Sequence, residues 1–268
     1  MRKVLIAAAV ASACSAPFAV SAQAAAAKPE PEYTITGNAG LFSDYRFRGY
    51  TQTDYNPAFQ GGLDFAHKSG FYLGNWNSNV SSVLFNGASL EMDFYGGWKT
   101  TIEGFGLDIG TIYYFYPGTG ASGGPYTSSL DAKNWEVYIG GSYGPVSLKY
   151  FYSFTDFFGL NSQAVGLPGD IDTKGSQYLD LSGTYDLGSG FGINGHIGWQ
   201  KINSGRDIGL IEDTVYDYKV GVTYDIGGSG WIGGLALIGT SEKNLFLESD
   251  LSDGAGKTSV VVSVSKTF

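Results

Sequence analysis

Groups able to do covalent or metal chemistry are few enough here to weigh one at a time. The 268-residue chain holds two histidines, one cysteine, 16 basic and 25 acidic residues. A serine nucleophile needs a base within hydrogen-bond reach, usually histidine. His67 lies beside the turn Lys68-Ser69-Gly70, and His196 falls mid-segment among residues of polar parity. Two histidines and scattered carboxylates supply no transition-metal cluster. Asp170-Ile171-Asp172 and Asp250 to Asp253 lack the ligand spacing of a calcium loop. Gly118 to Gly123 satisfies G-x-G-x-x-G, yet Gly124-Pro125 follows where a dinucleotide site needs a helix. Gly256-Lys257-Thr258 mimics the end of a phosphate-binding loop, but Leu251 stands where its first glycine belongs. No cofactor and no metal site are expected.

The informative set is diffuse. Asp44, Arg46, Arg48, Asp64, Glu91, Asp93, Lys99, Asp108, Glu136, Lys149, Asp180, His196, Asp217 and Lys219 fall mostly on the polar side of period-two patterns. Strands must therefore position them.

Twelve segments carry the alternation. Ile35, Ala39, Leu41, Tyr45 and Phe47 share one parity, with Thr36, Asn38, Asp44, Arg46 and Arg48 on the other. Phe59, Leu63 and Phe65 oppose Gln60 and Asp64; Tyr72, Trp76 and Val80 oppose Asn75, Asn77 and Asn79. The pattern recurs near residues 90–99, 107–116, 135–143, 146–155, 179–185, 193–200, 216–224, 231–240 and 259–268. Ile112, Tyr114 and Tyr116 are ambiguous, and Trp231 to Thr240 is apolar on both parities. A ten-residue strand tilted by ~45° spans roughly 24 Å, close to the apolar band of an outer-membrane barrel. Connections alternate between short and long, as in an up-and-down barrel with short periplasmic turns and long external loops. An even strand count puts both termini on the periplasmic side. A soluble sandwich also alternates, but it gives no reason for alternating loop length and normally shows a strongly polar outer face.

Composition agrees. Charged residues are 15%, aromatics another 15%, and glycine contributes 41 positions. Charge so far below the usual ~25% argues against an ordinary soluble enzyme. The first residues read as an export signal: Arg2 and Lys3, an apolar stretch from Val4, then small residues with cleavage sites after 22 or 24. The expected organisation is a cleaved leader over 1–24, exported by the Sec pathway, a short periplasmic segment over 25–32, and a barrel over 33–268. The only cysteine, Cys14, lies in the leader. Removing Arg2 and Lys3 makes the net charge of −9 two units more negative. A chain this acidic is a poor nucleic-acid binder.

Two stretches carry a resemblance. Gly40 to Asp54, GLFSDYRFRGYTQTD, and Pro57 to Tyr72, PAFQGGLDFAHKSGFY, together with Leu90 to Gly97 and the ending Val260 to Phe268, resemble the TorF porin family, also called Gcw_chp. The resemblance implies a proteobacterial outer-membrane barrel assigned to solute passage, and it brings no catalytic residues. The terminal aromatic Phe268 is similar to the signal read by the barrel assembly machinery.

Charges facing lipid would cost ~2–4 kcal/mol near the midplane, so the ionisable set should face inward. There it either lines a water-filled pore or pairs into a plug. The expectation is an outer-membrane barrel that passively conducts small solutes through a narrow, charge-lined lumen, tightened by the loop Pro117 to Lys133. A lipid or peptide hydrolase and an adhesive barrel acting through its loops are the alternatives.

Overall fold

Segments with one apolar and one polar face are stable in a membrane only if their backbone groups are all paired, which a closed barrel achieves. The computed structural model describes residues 31–120, 130–245 and 254–268. The leader expected at 1–24 and the acidic run Asp250 to Asp253 lie outside the described residues. The strands are β1 (Tyr33–Phe42), β2 (Arg46–Phe47), β3 (Tyr50–Thr51), β4 (Ala58–His67), β5 (Phe71–Asn79), β6 (Leu90–Ile102) and β7 (Phe105–Phe115). They continue as β8 (Lys133–Tyr143), β9 (Val146–Ser153), β10 (Gln177–Gly188), β11 (Phe191–Lys201), β12 (Thr214–Asp225), β13 (Trp231–Thr240) and β14 (Ser259–Thr267). Twelve strands close an antiparallel barrel in which β1 meets β14, while β2 and β3 form a separate hairpin. At the seam, the Phe268 N–H donates to the Gly37 carbonyl at 2.7 Å. No helix among the described residues is long and apolar enough to cross a membrane.

The two faces separate cleanly. Ile35, Leu63, Ile197 and Val220 are each more than 60% exposed on the outer wall, whereas Glu91, Asp93, Glu136 and Asp217 are 1% exposed inside. The described residues of the long connections, 43–57, 80–89, 116–120, 130–132, 154–176, 202–213, 241–245 and 254–258, gather at one end. The short turns, residue 31 and Phe268 lie at the other.

Strand alternation extends past the true end of the first strand. The sequence predicts a strand reaching Arg48, but β1 stops at Phe42 and residues 43–57 fold into the bore. The cause is local. Arg48 and Gly49 have φ of 45° and 82°, the two positive values a type I′ turn requires, and they join the paired residues Phe47 and Tyr50. A Cβ at Gly49 would lie 2.4 Å from Thr240 Cγ2, so the tip also needs glycine to approach β13. Asp44, Arg46 and Arg48 are therefore hairpin residues and not wall positions. Tyr45 and Phe47, assigned by parity to the outer face, are interior.

A second correction concerns β5. Phe71 and Leu73 are its outward residues, each 64% exposed, so Tyr72 and Trp76 point inward and Asn75, Asn77 and Asn79 outward. The asparagines are tolerated there because their amide nitrogens donate to the wall itself: Asn75 Nδ2 to the Asp93 carbonyl and Asn77 Nδ2 to the Gly61 carbonyl. The ambiguous Ile112, Tyr114 and Tyr116 are buried inside. On β13, Leu235 and Leu237 face out while Ile232 and Ile238 face in.

Inward tyrosines need room, and cross-strand glycines supply it. Tyr95 is paired with Gly74 and Tyr138 with Gly110. A Cβ at Gly74 would sit 2.2 Å from the Tyr95 ring, and one at Gly110 would sit 2.5 Å from the Tyr138 hydroxyl. Each ring thus lies flat across its partner strand and narrows the bore without pushing the wall out.

Candidate functional site

The hairpin spans the bore from wall to wall. The Tyr45 ring meets Trp76 of β5 edge-on at 5.3 Å, and Phe47 meets Tyr114 of β7 at 5.5 Å. Arg46 pairs with Asp44, donates to the carbonyls of Gly49, Ala255 and Lys257, and reaches Ser259 of β14. Arg48 at the tip donates through Nη2 to Glu136 of β8 at 2.7 Å and through Nη1 to Gln200 of β11 at 2.6 Å. Its guanidinium also lies 4.1 Å from the Tyr178 ring centroid. Burial opposes this charge most strongly, but Glu136 together with Tyr114 and Tyr178 outweighs it and holds the Arg48 pKa above its ordinary value. Tyr50, on the return strand, is pushed up chiefly by burial.

Above the hairpin, the long loops pack over its back. Phe158, held at φ 51°, touches Phe47 and Tyr114, and Phe85 stacks on Tyr116 at 4.4 Å. Among the described residues, the segment that crosses the bore is the hairpin; residues 121–129 of the expected loop Pro117 to Lys133 lie outside the described residues. Of that loop's described residues, Leu130 and Ala132 pack into buried apolar clusters at the mouth.

Below and around the hairpin lie the wall charges. Glu91 accepts a hydrogen bond from Tyr116 at 2.8 Å, and neither Glu91 nor Asp93 has a cationic partner among the described residues. Asp64 accepts from Tyr95 at 2.5 Å. Asp108 joins Lys149 at 2.8 Å and accepts from Tyr72 at 2.6 Å, while Tyr72 also bonds Tyr138. Lys99 sits 5.4 Å from the Tyr72 ring centroid. Lys219 shares a cavity of about 50 Å³ with Arg46 and Asn194 on one side and Ile232, Ile238 and Val261 on the other. His196 is held between two carboxylates, Nδ1 to Asp180 at 2.7 Å and Nε2 to Asp217 at 3.2 Å. Neither ring nitrogen is left to activate a serine. His67 lies at the short-turn end, with Nδ1 2.7 Å from Ser69 Oγ.

All fourteen ionisable residues singled out from the sequence therefore lie at the interior, eleven on the wall and three on the hairpin. They do not converge on one reacting centre. They form pairs and short networks spread around the bore. Sequence reasoning missed the tyrosines that order these charges, Tyr72, Tyr95, Tyr116, Tyr138 and Tyr178, and the hairpin anchors Gln200 and Ser259. The pairing of tyrosine with a glycine at an opposing position is a signal only once register is known. The dipeptide Arg48-Gly49 between two aromatic residues was readable as a two-residue turn.

Solved structures share the architecture. The NanC porin matches with a TM-score of 0.53 at 9% identity, covering 88% of this chain and 99% of that one. The KdgM porin matches with a TM-score of 0.48 at 10% identity, covering 87% and 97%. OccAB3 of Acinetobacter baumannii matches with a TM-score of 0.43 at 12% identity, covering 90% of this chain and 65% of that one. At such identities the likeness is one of fold. No match arises among curated protein sequences. The family described as "Bacterial protein of unknown function (Gcw_chp)" matches residues 26–268, nearly the whole chain, and this protein belongs to the Gcw_chp family.

Proposed function

We propose that the protein is an outer-membrane channel for passive diffusion of small solutes, with a preference for cations. One observation carries the reading: a closed twelve-stranded barrel whose inner wall is ionisable and whose bore is crossed, among the described residues, by a folded hairpin. An adhesive barrel needs no charged interior, and an enzyme needs a nucleophile with a free base. Ionic groups inside are costly unless water or partners reach them, which supports a conduit as their reason for being there. Carboxylates outnumber cations in the set, and Asp64 stands without a cationic partner among the described residues, so the inner potential favours cations. The long loops would face outward and the short turns the periplasm, with the exposed apolar wall against lipid. Phe268 ends β14 with an exposed ring, as suits a terminal strand handed to the barrel assembly machinery.

The hairpin makes a direct test possible. Purified protein in planar bilayers is expected to pass small, cation-selective currents. Replacing residues 45–52 with a Gly-Ser linker is expected to raise the unitary conductance several-fold. The absence of current from both proteins, each shown to be folded by heat-modifiable mobility, would overturn the channel reading.

A further inference from the structure

An apolar cavity lies at the long-loop end, on the outer side of the hairpin. Phe47, Phe85, Leu130, Phe158, Leu160 and Ile202 supply much of its wall, with Arg48 and Gln200 at its margin. Its volume is about 130 Å³. An apolar cavity of ~150 Å³ stays free of water and takes up benzene, so this one matches a single ring. The aromatic walls that keep it open are themselves fixed: Phe47, Phe158, Tyr114 and Phe157 contact one another in a chain of edge-on and tilted rings.

The polar groups at the margin define the ligand's charge. Arg48 directs both terminal nitrogens elsewhere, to Glu136 and Gln200, and Glu136 already neutralises it. Gln200 Nε2 donates to the carbonyls of Gln177 and Lys201, Gln52 Nε2 to Tyr50, and the Thr51 hydroxyl to Asp44. An anion would have to displace Glu136. A neutral apolar molecule displaces nothing and gains contact with several rings.

We propose that this cavity is a binding site for a small neutral apolar molecule of one-ring size, aromatic or alicyclic. The site borders the charged passage at Arg48 and Gln200, and its test does not depend on conduction. Fluorobenzene serves as the probe, read by 19F transverse relaxation with the full protein in lipid nanodiscs and with empty nanodiscs of equal lipid content. Protein is expected to add a saturable broadening that toluene competes away and benzoate, at equal concentration, does not. Leu160→Trp or Ala132→Phe, which fill the cavity, should weaken fluorobenzene binding at least about tenfold, the scale of lost apolar burial. Phe158→Ala should instead admit 1-fluoronaphthalene, which the wild-type cavity is too small to hold, and so tests the site even if a filled variant does not fold. Broadening no greater than in empty nanodiscs would overturn the proposal. So would broadening unchanged in a folded filled variant, or benzoate competing better than toluene.

Discussion

Towards the long loops, the bore is packed: Tyr45, Phe47 and Arg48 reach strands on opposite walls, and rings from the loops rest on them. Towards the short turns, the interior changes character. Asp64, Tyr72, Lys99, Asp108 and Lys149 hang from the wall itself, cushioned by glycines on facing strands. The long-loop half, outer in the proposed orientation, is thus crossed by a separate piece of chain, and the short-turn half, inner in that orientation, is only narrowed by side chains. A barrier made from a hairpin can be displaced without unzipping the barrel, whereas a barrier made from wall residues cannot. Resistance to flow is therefore expected to reside in the outer half, and charge discrimination to be shared with the inner half.

The largest effect is expected at Arg48. Arg48→Ala leaves Glu136 buried without its cation, which typically costs about 3–5 kcal/mol. The loss falls on the hairpin's hold in the bore, so thermal stability should drop while open-channel conductance rises. Replacing both partners, Arg48→Met with Glu136→Leu, should recover most of the stability, because no buried charge is stranded. If Arg48→Ala lowers stability and conductance together, the hairpin is a structural strut and the comparison between the halves fails. Selectivity sharpens the point: if neutralising Arg46 and Arg48 together leaves the reversal potential unaltered, neither arginine filters ions.

An intermediate effect is expected at Gly110, which lies under the Tyr138 ring in the inner half. Gly110→Val places a branched side chain against the Tyr138 hydroxyl, and overpacking of this kind costs about 1–3 kcal/mol. Tyr138 would be pushed into the bore, so conductance should fall even though no charge has changed. Guanidinium unfolding followed by tyrosine fluorescence gives the stability, and single-channel recording gives the flow. An unchanged conductance would mean that the inner tyrosines do not line the path.

These contrasts were unequally legible in the sequence. Strand number, loop alternation and the inward placement of most charges followed from period-two patterning, because a closed wall in lipid permits few other arrangements. The end of β1 was hidden because Ser43 to Arg48 keeps the alternation of a strand while its backbone turns inward at Arg48 and Gly49. Periodicity reports which side chains share a face, not whether the next residue still pairs with a neighbour. On β5, the asparagines read as an inner face because single-residue polarity cannot see amide nitrogens that donate to backbone carbonyls in the wall. Phe71 and Leu73 held the contrary signal. The His196 clamp was beyond reach, since Asp180 and Asp217 come from strands on either side of it and meet only through register.

The smallest effect is expected at the ion pair between Asp108 and Lys149, which is partly open to water, with side chains 12% and 16% exposed. Water can screen what remains when one partner is removed, so Asp108→Asn should cost only ~1 kcal/mol. Tyr72 can still donate its hydroxyl to the asparagine oxygen, which keeps the local geometry. What changes is charge. Lys149 is left uncompensated on the inner wall, and the reversal potential in a KCl gradient should move toward anions, with unitary conductance nearly as before. Lys149→Met should move it the other way, because Asp108 then stands alone. Opposite shifts of similar size would assign the inner half a share of the discrimination. If both variants leave the reversal potential where it was, while the Arg46 and Arg48 pair moves it, selection belongs wholly to the hairpin, and the inner half is a passive vestibule.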